Sequence, residues 1–152
     1  MSKKEWGSVT WTLFHCLAEK INDNSNEQTI ELLITNIKLI CNNLPCPNCQ
    51  QHARSIWNKY HYIKINTKEK LKSFLFQFHN IVNSQTKKKK VSIEILNNYK
   101  IINLNNVLTS FKITYLKKQN NSKLIMYNFH RKLMVNKFIK YMSSNKNIFD
   151  GL

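Results

Sequence analysis

Apolar residues recur at three- and four-residue intervals along most of this chain, the spacing of one face of an α-helix. Leu13, Phe14, Leu17, Ala18 and Ile21 predict a first helix over residues 7–21, and Gly7, Trp11 and His15, each four apart, form a second stripe along it. A polar run, Asn22 to Asn26, breaks the pattern. Ile30, Leu33, Ile34, Ile37, Ile40 and Cys41 then predict a second helix over residues 27–42. A third starts at Pro45 and continues through Ala53, Ile56 and Trp57. The fourth opens on Asn66 or Thr67 as its cap and carries Leu71, Phe74, Leu75, Phe78 and Val82 on one face. His79, Asn80 and Asn83 lie together beside that face, because residues three and four apart are helical neighbours.

Four consecutive lysines, Lys87 to Lys90, end this pattern. Beyond them Ile95, Leu96 and Tyr99 suit a short fifth helix, and Leu104, Val107, Leu108, Phe111 and Tyr115 make a further amphipathic stripe. Residues 117–122 read as a linker. Residues 123–142 are helical in period but apolar around much of the circumference. The expected architecture is all-α: a four-helix bundle with a short fifth helix over residues 1–99, then a basic helical extension over residues 100–152.

The chain has 152 residues, about 42% of them apolar, with two glycines and two prolines, which suits one mainly helical core. No apolar run approaches the ~18 residues of a membrane span. The first residues lack the apolar stretch of a signal peptide, so a soluble, cytoplasmic protein is expected. The net charge of +16 is unevenly spread. Residues 1–69 hold 8 basic and 6 acidic groups, and residues 70–152 hold 16 basic and 2 acidic ones. Such a basic half suits nucleic acid or an anionic membrane. However, 22 of the 24 basic residues are lysine, and Asn and Ile abound too, a bias that A/T-rich codons also produce, so this partner is not the favoured one.

The chemistry centres on Leu44-Pro45-Cys46-Pro47-Asn48-Cys49-Gln50-Gln51-His52. A Cys-x-x-Cys at a helix start holds its first thiol near unpaired backbone N–H groups, which favour the thiolate. The spacing alone leaves three readings open: a redox dithiol, half of a zinc site, or two buried cysteines. Zinc would draw on Cys41, Cys46, Cys49 and His52, yet Cys41 sits mid-way along an apolar face and no second knuckle exists. A Cys16–Cys41 disulfide fails on register. In antiparallel helices the two lie about nine residues, roughly 13 Å at a rise of ~1.5 Å per residue, out of step. Both read as buried thiols. His15 beside Trp11 suits a core histidine. His79, Asn80 and Asn83 need partners if buried, and a polar ligand held between the helices would supply them.

Taken together, Gly7-x3-Trp11-x3-His15, then Cys46-x2-Cys49-x2-His52, then His79-Asn80-x-Val82-Asn83, in that order, resemble the Erv/ALR family of FAD-linked sulfhydryl oxidases. The resemblance runs from about Trp6 to Lys90 and is closest to minimal forms encoded by large DNA viruses. It implies a four-helix bundle holding FAD, often a homodimer through the first two helices. It implies Cys46 and Cys49 as the catalytic redox pair, Cys49 nearer the flavin and Cys46 open to incoming thiols. Gly7, Trp11, His15, Cys49, His52, His79, Asn80, Val82, Asn83 and Lys88 would contact the cofactor, and no metal is implied. Substrates would be protein dithiols, with molecular oxygen as acceptor giving hydrogen peroxide, in the host cytoplasm and the virion if the source is viral. The sequence departs from the family pattern at Ser8, Thr86 and Lys89, where an arginine, a leucine and a proline are usual, and Ile93 stands near the place of an aromatic residue. Two other classes compete: a cysteine-bearing interaction protein without flavin, and a basic nucleic-acid or membrane-surface binder.

Overall fold

The computed structural model describes residues 2–117 and 124–152. Among the described residues six α-helices run in the order α1 Lys3–Lys20, α2 Glu27–Cys41, α3 Pro47–Lys59, α4 Lys68–Gln85, α5 Leu104–Tyr115 and α6 Ile125–Ser144. Short 3₁₀ segments cover Ile93–Lys100 and Lys146–Ile148. The fifth element is thus a 3₁₀ segment. The linker expected over residues 117–122 lies outside the described residues from 118 on.

Short polar side chains set most helix starts by taking an otherwise unpaired N–H. Ser2 Oγ accepts from the Glu5 N–H at 3.2 Å, which begins α1 at Lys3, four residues before the expected start at residue 7. Asn26 Oδ1 caps α2 through Thr29, Thr67 Oγ1 caps α4 through Lys70, and Asn103 Oδ1 caps α5 through Asn106. At α3 the cap is Cys46 itself, with Pro47 in the first turn where a missing N–H costs nothing.

The core is continuous. Leu13, Leu17 and Ile21 of the first helix and its end, Ile30, Leu33, Ile37 and Ile40 of α2, and Leu71 and Leu75 of α4 are fully buried. Helix α1 packs against α4, the first 3₁₀ segment and, most extensively, α5. Helix α2 packs against α3 and α6, and α6 closes on α5. The extension therefore folds and lies on the bundle, with Phe111, Tyr115 and Phe138 fully buried. Polar contacts tie it to α1 along the whole helix. Lys117 pairs with Glu5 near the start, and the Tyr115 hydroxyl meets Thr10 Oγ1 in the middle. At the end Ile21 bridges to Phe149, and the Asp150 N–H donates to Lys20 O at 2.7 Å. Arg131, buried in α6, donates from Nε to Tyr115 O at 2.9 Å. Among the described residues no helix is long and apolar enough to cross a membrane.

Candidate active site

The proline-flanked turn before α3 sets the dithiol. Gln50 Nε2 donates to Leu44 O at 2.7 Å, fixing the turn, and Cys46 Sγ accepts from the Cys49 N–H at 3.3 Å. The two sulfurs lie 2.6 Å apart, both half-buried, so they can join or part with little backbone movement. Burial first, then the adjoining Cys46 sulfur, pushes the Cys49 thiol up to about 11, against the pull of the Lys3 ammonium. Cys16 and Cys41 are free and buried, and burial drives their thiols up to about 11 and about 12. Among the described residues no three His, Cys, Asp or Glu side chains converge as metal ligands would.

Cys49 opens on a cavity of about 490 Å³ between α1, α3, α4 and the first 3₁₀ segment, the size of a small-molecule site. Cys46 does not line it. From α3 it is also lined by His52 and Ala53, and from α1 by Gly7, Thr10, Trp11 and Phe14. Helix α4 supplies Phe78, His79, Val82 and Asn83. At Gly7 a Cβ would meet no protein atom within 4 Å, so this backbone faces open space into which a flat ring could come close. Trp11 stacks on His79, centroids 4.2 Å apart and planes 8° from parallel, giving the cavity a flat aromatic wall. Lys3, Lys4, Lys88 and Lys89 ring it with positive charge.

His15 and Asn80 do not line the cavity; they brace its wall from behind. His15 Nε2 and His79 Nδ1 share a hydrogen bond of 3.0 Å, one ring donating and the other accepting. Asn80 holds Val91 at both backbone groups, donating to its O at 3.1 Å and accepting from its N–H at 2.8 Å. Asn83 Nδ2 donates to Lys89 O at 3.1 Å. His79, Asn80 and Asn83 thus each find a partner within the chain. These two asparagines fold the lysine run back across the cavity. Lys87 adopts a left-handed φ of 57°, a conformation that costs a non-glycine residue about 1–2 kcal/mol. The Lys88 N–H then reaches Asn83 O at 2.7 Å, ending α4 and bringing Lys88 and Lys89 to the rim.

Sequence reasoning missed several lining residues, among them Lys3, Lys4, Lys89 and, most informatively, Tyr99. Tyr99 lines the cavity and stacks on His15 at 4.9 Å, six residues on from Ile93. Ile93 itself is 61% exposed. The signal was the stripe Ile95, Leu96, Tyr99, which placed Tyr99 inward without saying against what.

Burial, and then the neighbouring His79, lowers His15 to about 3; burial, and then Lys88, lowers His79 to about 4. Both are neutral in the fold near pH 7. Unfolded, they take up protons near 6.5. Between these values the unfolded chain binds more protons, so stability is present above about pH 6.5 and is lost as pH falls. Thermal unfolding should drop by on the order of 10 °C between about pH 6 and about pH 4.5. His15→Gln should flatten that slope; equal slopes in the two proteins would assign the drop to other groups.

The fold is helical and sets a paired thiol at a helix start, with Cys49 on an aromatic-walled, lysine-rimmed cavity whose shape and charge suit a flat, anionic ligand. The Erv1 / Alr family profile matches residues 8–102, well over half of the chain, and the chain belongs to that family. It is similar to a protein of Invertebrate iridescent virus 3 provisionally named a FAD-linked sulfhydryl oxidase, 30% identical over 86 residues. That match covers 56% of this chain and 58% of the relative, so it spans less than two thirds of the relative's length. A protein of African swine fever virus named FAD-linked sulfhydryl oxidase, from a pig isolate, is 32% identical over 87 residues, covering 57% of this chain and 72% of the relative. Its counterpart from a warthog isolate is 31% identical over the same length.

Proposed function

We propose that this chain is a FAD-dependent sulfhydryl oxidase that forms disulfide bonds in protein substrates. The observation that carries this reading is Cys49 opening on the ligand cavity while its partner Cys46 stays off it. In the oxidised form a substrate thiolate attacks Cys46 Sγ, breaking the Cys46–Cys49 bond and leaving the electron pair on Cys49. The substrate's second thiolate then attacks the mixed disulfide and releases Cys46, so the substrate is oxidised and the pair reduced. FAD held in the cavity would supply a two-electron acceptor for the reduced pair, with oxygen as the final acceptor and hydrogen peroxide as product.

Trp11 and His79 offer a flat face for the isoalloxazine or adenine ring, Gly7 gives it room, and Lys3, Lys4, Lys88 and Lys89 face the diphosphate. His52 lies one turn beyond Cys49 on the same wall. The neutral His15–His79 pair holds the wall without placing a buried charge beside the ligand. This reading goes with the cytoplasm, and with the virion for a viral source. A homodimer through α1 and α2 would have to use what α5 and α6 leave open on those helices.

Purified protein should be yellow, with a flavin absorption band, and should consume oxygen when given a small dithiol. His79→Ala and Asn83→Ala should lower flavin content and unfolding temperature together, because a ligand held only by the folded state stabilises it; a ligand at about 100 times its Kd adds about 2.7 kcal/mol. A colourless protein that fails to take up added FAD would exclude the oxidase reading.

A further inference from the structure

Helix α6 has two apolar faces. One, with Met134, Val135, Phe138 and Met142, is buried in the fold. On the opposite side Ile125, Phe129 and Leu133 follow one another at four-residue spacing, with Met126 alongside, and are 64, 55, 43 and 63% exposed. Tyr127 is exposed as well. Ile113 and Leu116 at the end of α5 are exposed too. Seven of the twelve large apolar side chains exposed among the described residues fall between 113 and 133. Scattered exposed apolar residues are ordinary on a protein surface, but a concentration of this kind marks a contact surface.

At about 100° per residue, Lys132 borders one edge of the stripe, His130 and Lys137 border the other, and Lys140 continues it; all four are exposed. Across residues 100–152 ten basic residues face one acidic residue, Asp150. A second copy of the chain would set these positive surfaces against each other. A nucleic acid would engage the lysines and leave the apolar stripe in water. An apolar ridge flanked by lysines, on a helix that does not cross a bilayer, matches what an acyl-chain boundary under anionic headgroups receives.

The geometry points to the outer face of α6 as a docking surface for an anionic membrane, the helix lying in the interface with Ile125, Met126, Phe129 and Leu133 inserted and Lys132, Lys137 and Lys140 at the headgroups. Aromatic and lysine side chains suit that level because their apolar bodies and polar ends part across it. The surface lies apart from the cavity and asks nothing of the dithiol.

Flotation of the full chain with vesicles tests this. Phosphatidylcholine containing about one third phosphatidylserine should carry the protein at low salt, and phosphatidylcholine alone should not. Added salt should release it. Phe129→Glu with Leu133→Glu should weaken binding at least about tenfold, and Lys132→Gln or Lys137→Gln roughly fivefold each. The unfolding temperature should not move, since all four side chains are exposed; Ile125→Ser with Met126→Ser is a milder second variant. Absence of binding at low salt would overturn the proposal, as would stripe variants that bind like the parent. A concentration-dependent dimer dispersed by Phe129→Glu would assign the face to a second copy instead. Binding of polyglutamate with none of vesicles would assign it to an acidic protein.

Discussion

Cys46→Ser and Cys49→Ser should each bring the oxidation of a small dithiol down to background while the protein still holds its flavin. The two sulfurs are 2.6 Å apart and form the only half-buried thiol pair among the described residues; Cys16 and Cys41 are buried. Neither buried thiol can substitute. Both lie within the core, so incoming thiols cannot reach them. The cavity is built largely from Trp11, Phe14, Phe78, His79 and Tyr99, which neither substitution removes. Oxygen uptake and the flavin band, measured on the same samples, separate loss of chemistry from loss of cofactor. Substantial turnover by both variants would take the dithiol out of the mechanism.

The second large effect concerns the extension. The sequence leads to residues 1–99 as a unit able to bind flavin and oxidise thiols unaided. The packing sets a cost against cutting there. Helix α5 covers more of α1 than any other element, and the extension contributes Phe111, Tyr115 and Phe138 to the core, all fully buried. Truncating one buried aromatic to alanine costs about 3–5 kcal/mol. Losing three approaches the whole stability of a domain, about 5–15 kcal/mol. The cut also strips one of the two partners of the cavity-lining Thr10, whose hydroxyl meets Tyr115 as well as Trp6 O. Truncation after Tyr99 should therefore lower the unfolding temperature by tens of degrees, on the order of ~2–4 °C per kcal/mol lost, and flavin should be lost with it. Circular-dichroism melts with flavin content decide the matter. A cooperative melt near that of the parent, with flavin retained, would show that residues 1–99 stand alone.

The helices were legible because their apolar residues keep a strict period and short polar side chains mark the starts. Even so, Ser2 extends α1 past its first apolar residue, an end set by one hydrogen bond and not by the stripe. His79, Asn80 and Asn83 were legible as groups in need of partners, but the partners were not. His79 meets His15, 64 positions away, and Asn80 meets Val91 across a turn that depends on the left-handed Lys87. Nothing in a lysine run announces that one member will leave the usual backbone region. Tyr99 was placed inward by period, yet its stacking on His15 belongs to tertiary packing. The apolar circumference of residues 123–142 had looked indistinct because two faces, one buried and one exposed, were superposed on a single helix.

The contacts that pin α1 also set an order in time. Thr10 waits for Tyr115, 105 positions later, and Asn22 donates to Asn147 O, 125 positions later. At a synthesis rate of about 5–20 residues per second, α1 emerges on the order of 5–25 s before these partners exist. Through the later part of that interval the Cys46-x-x-Cys49 pair is already made, but the helices that support its cavity wall are not. The support of the cavity wall thus arrives late in synthesis, with the helices that lie furthest from the dithiol in the sequence.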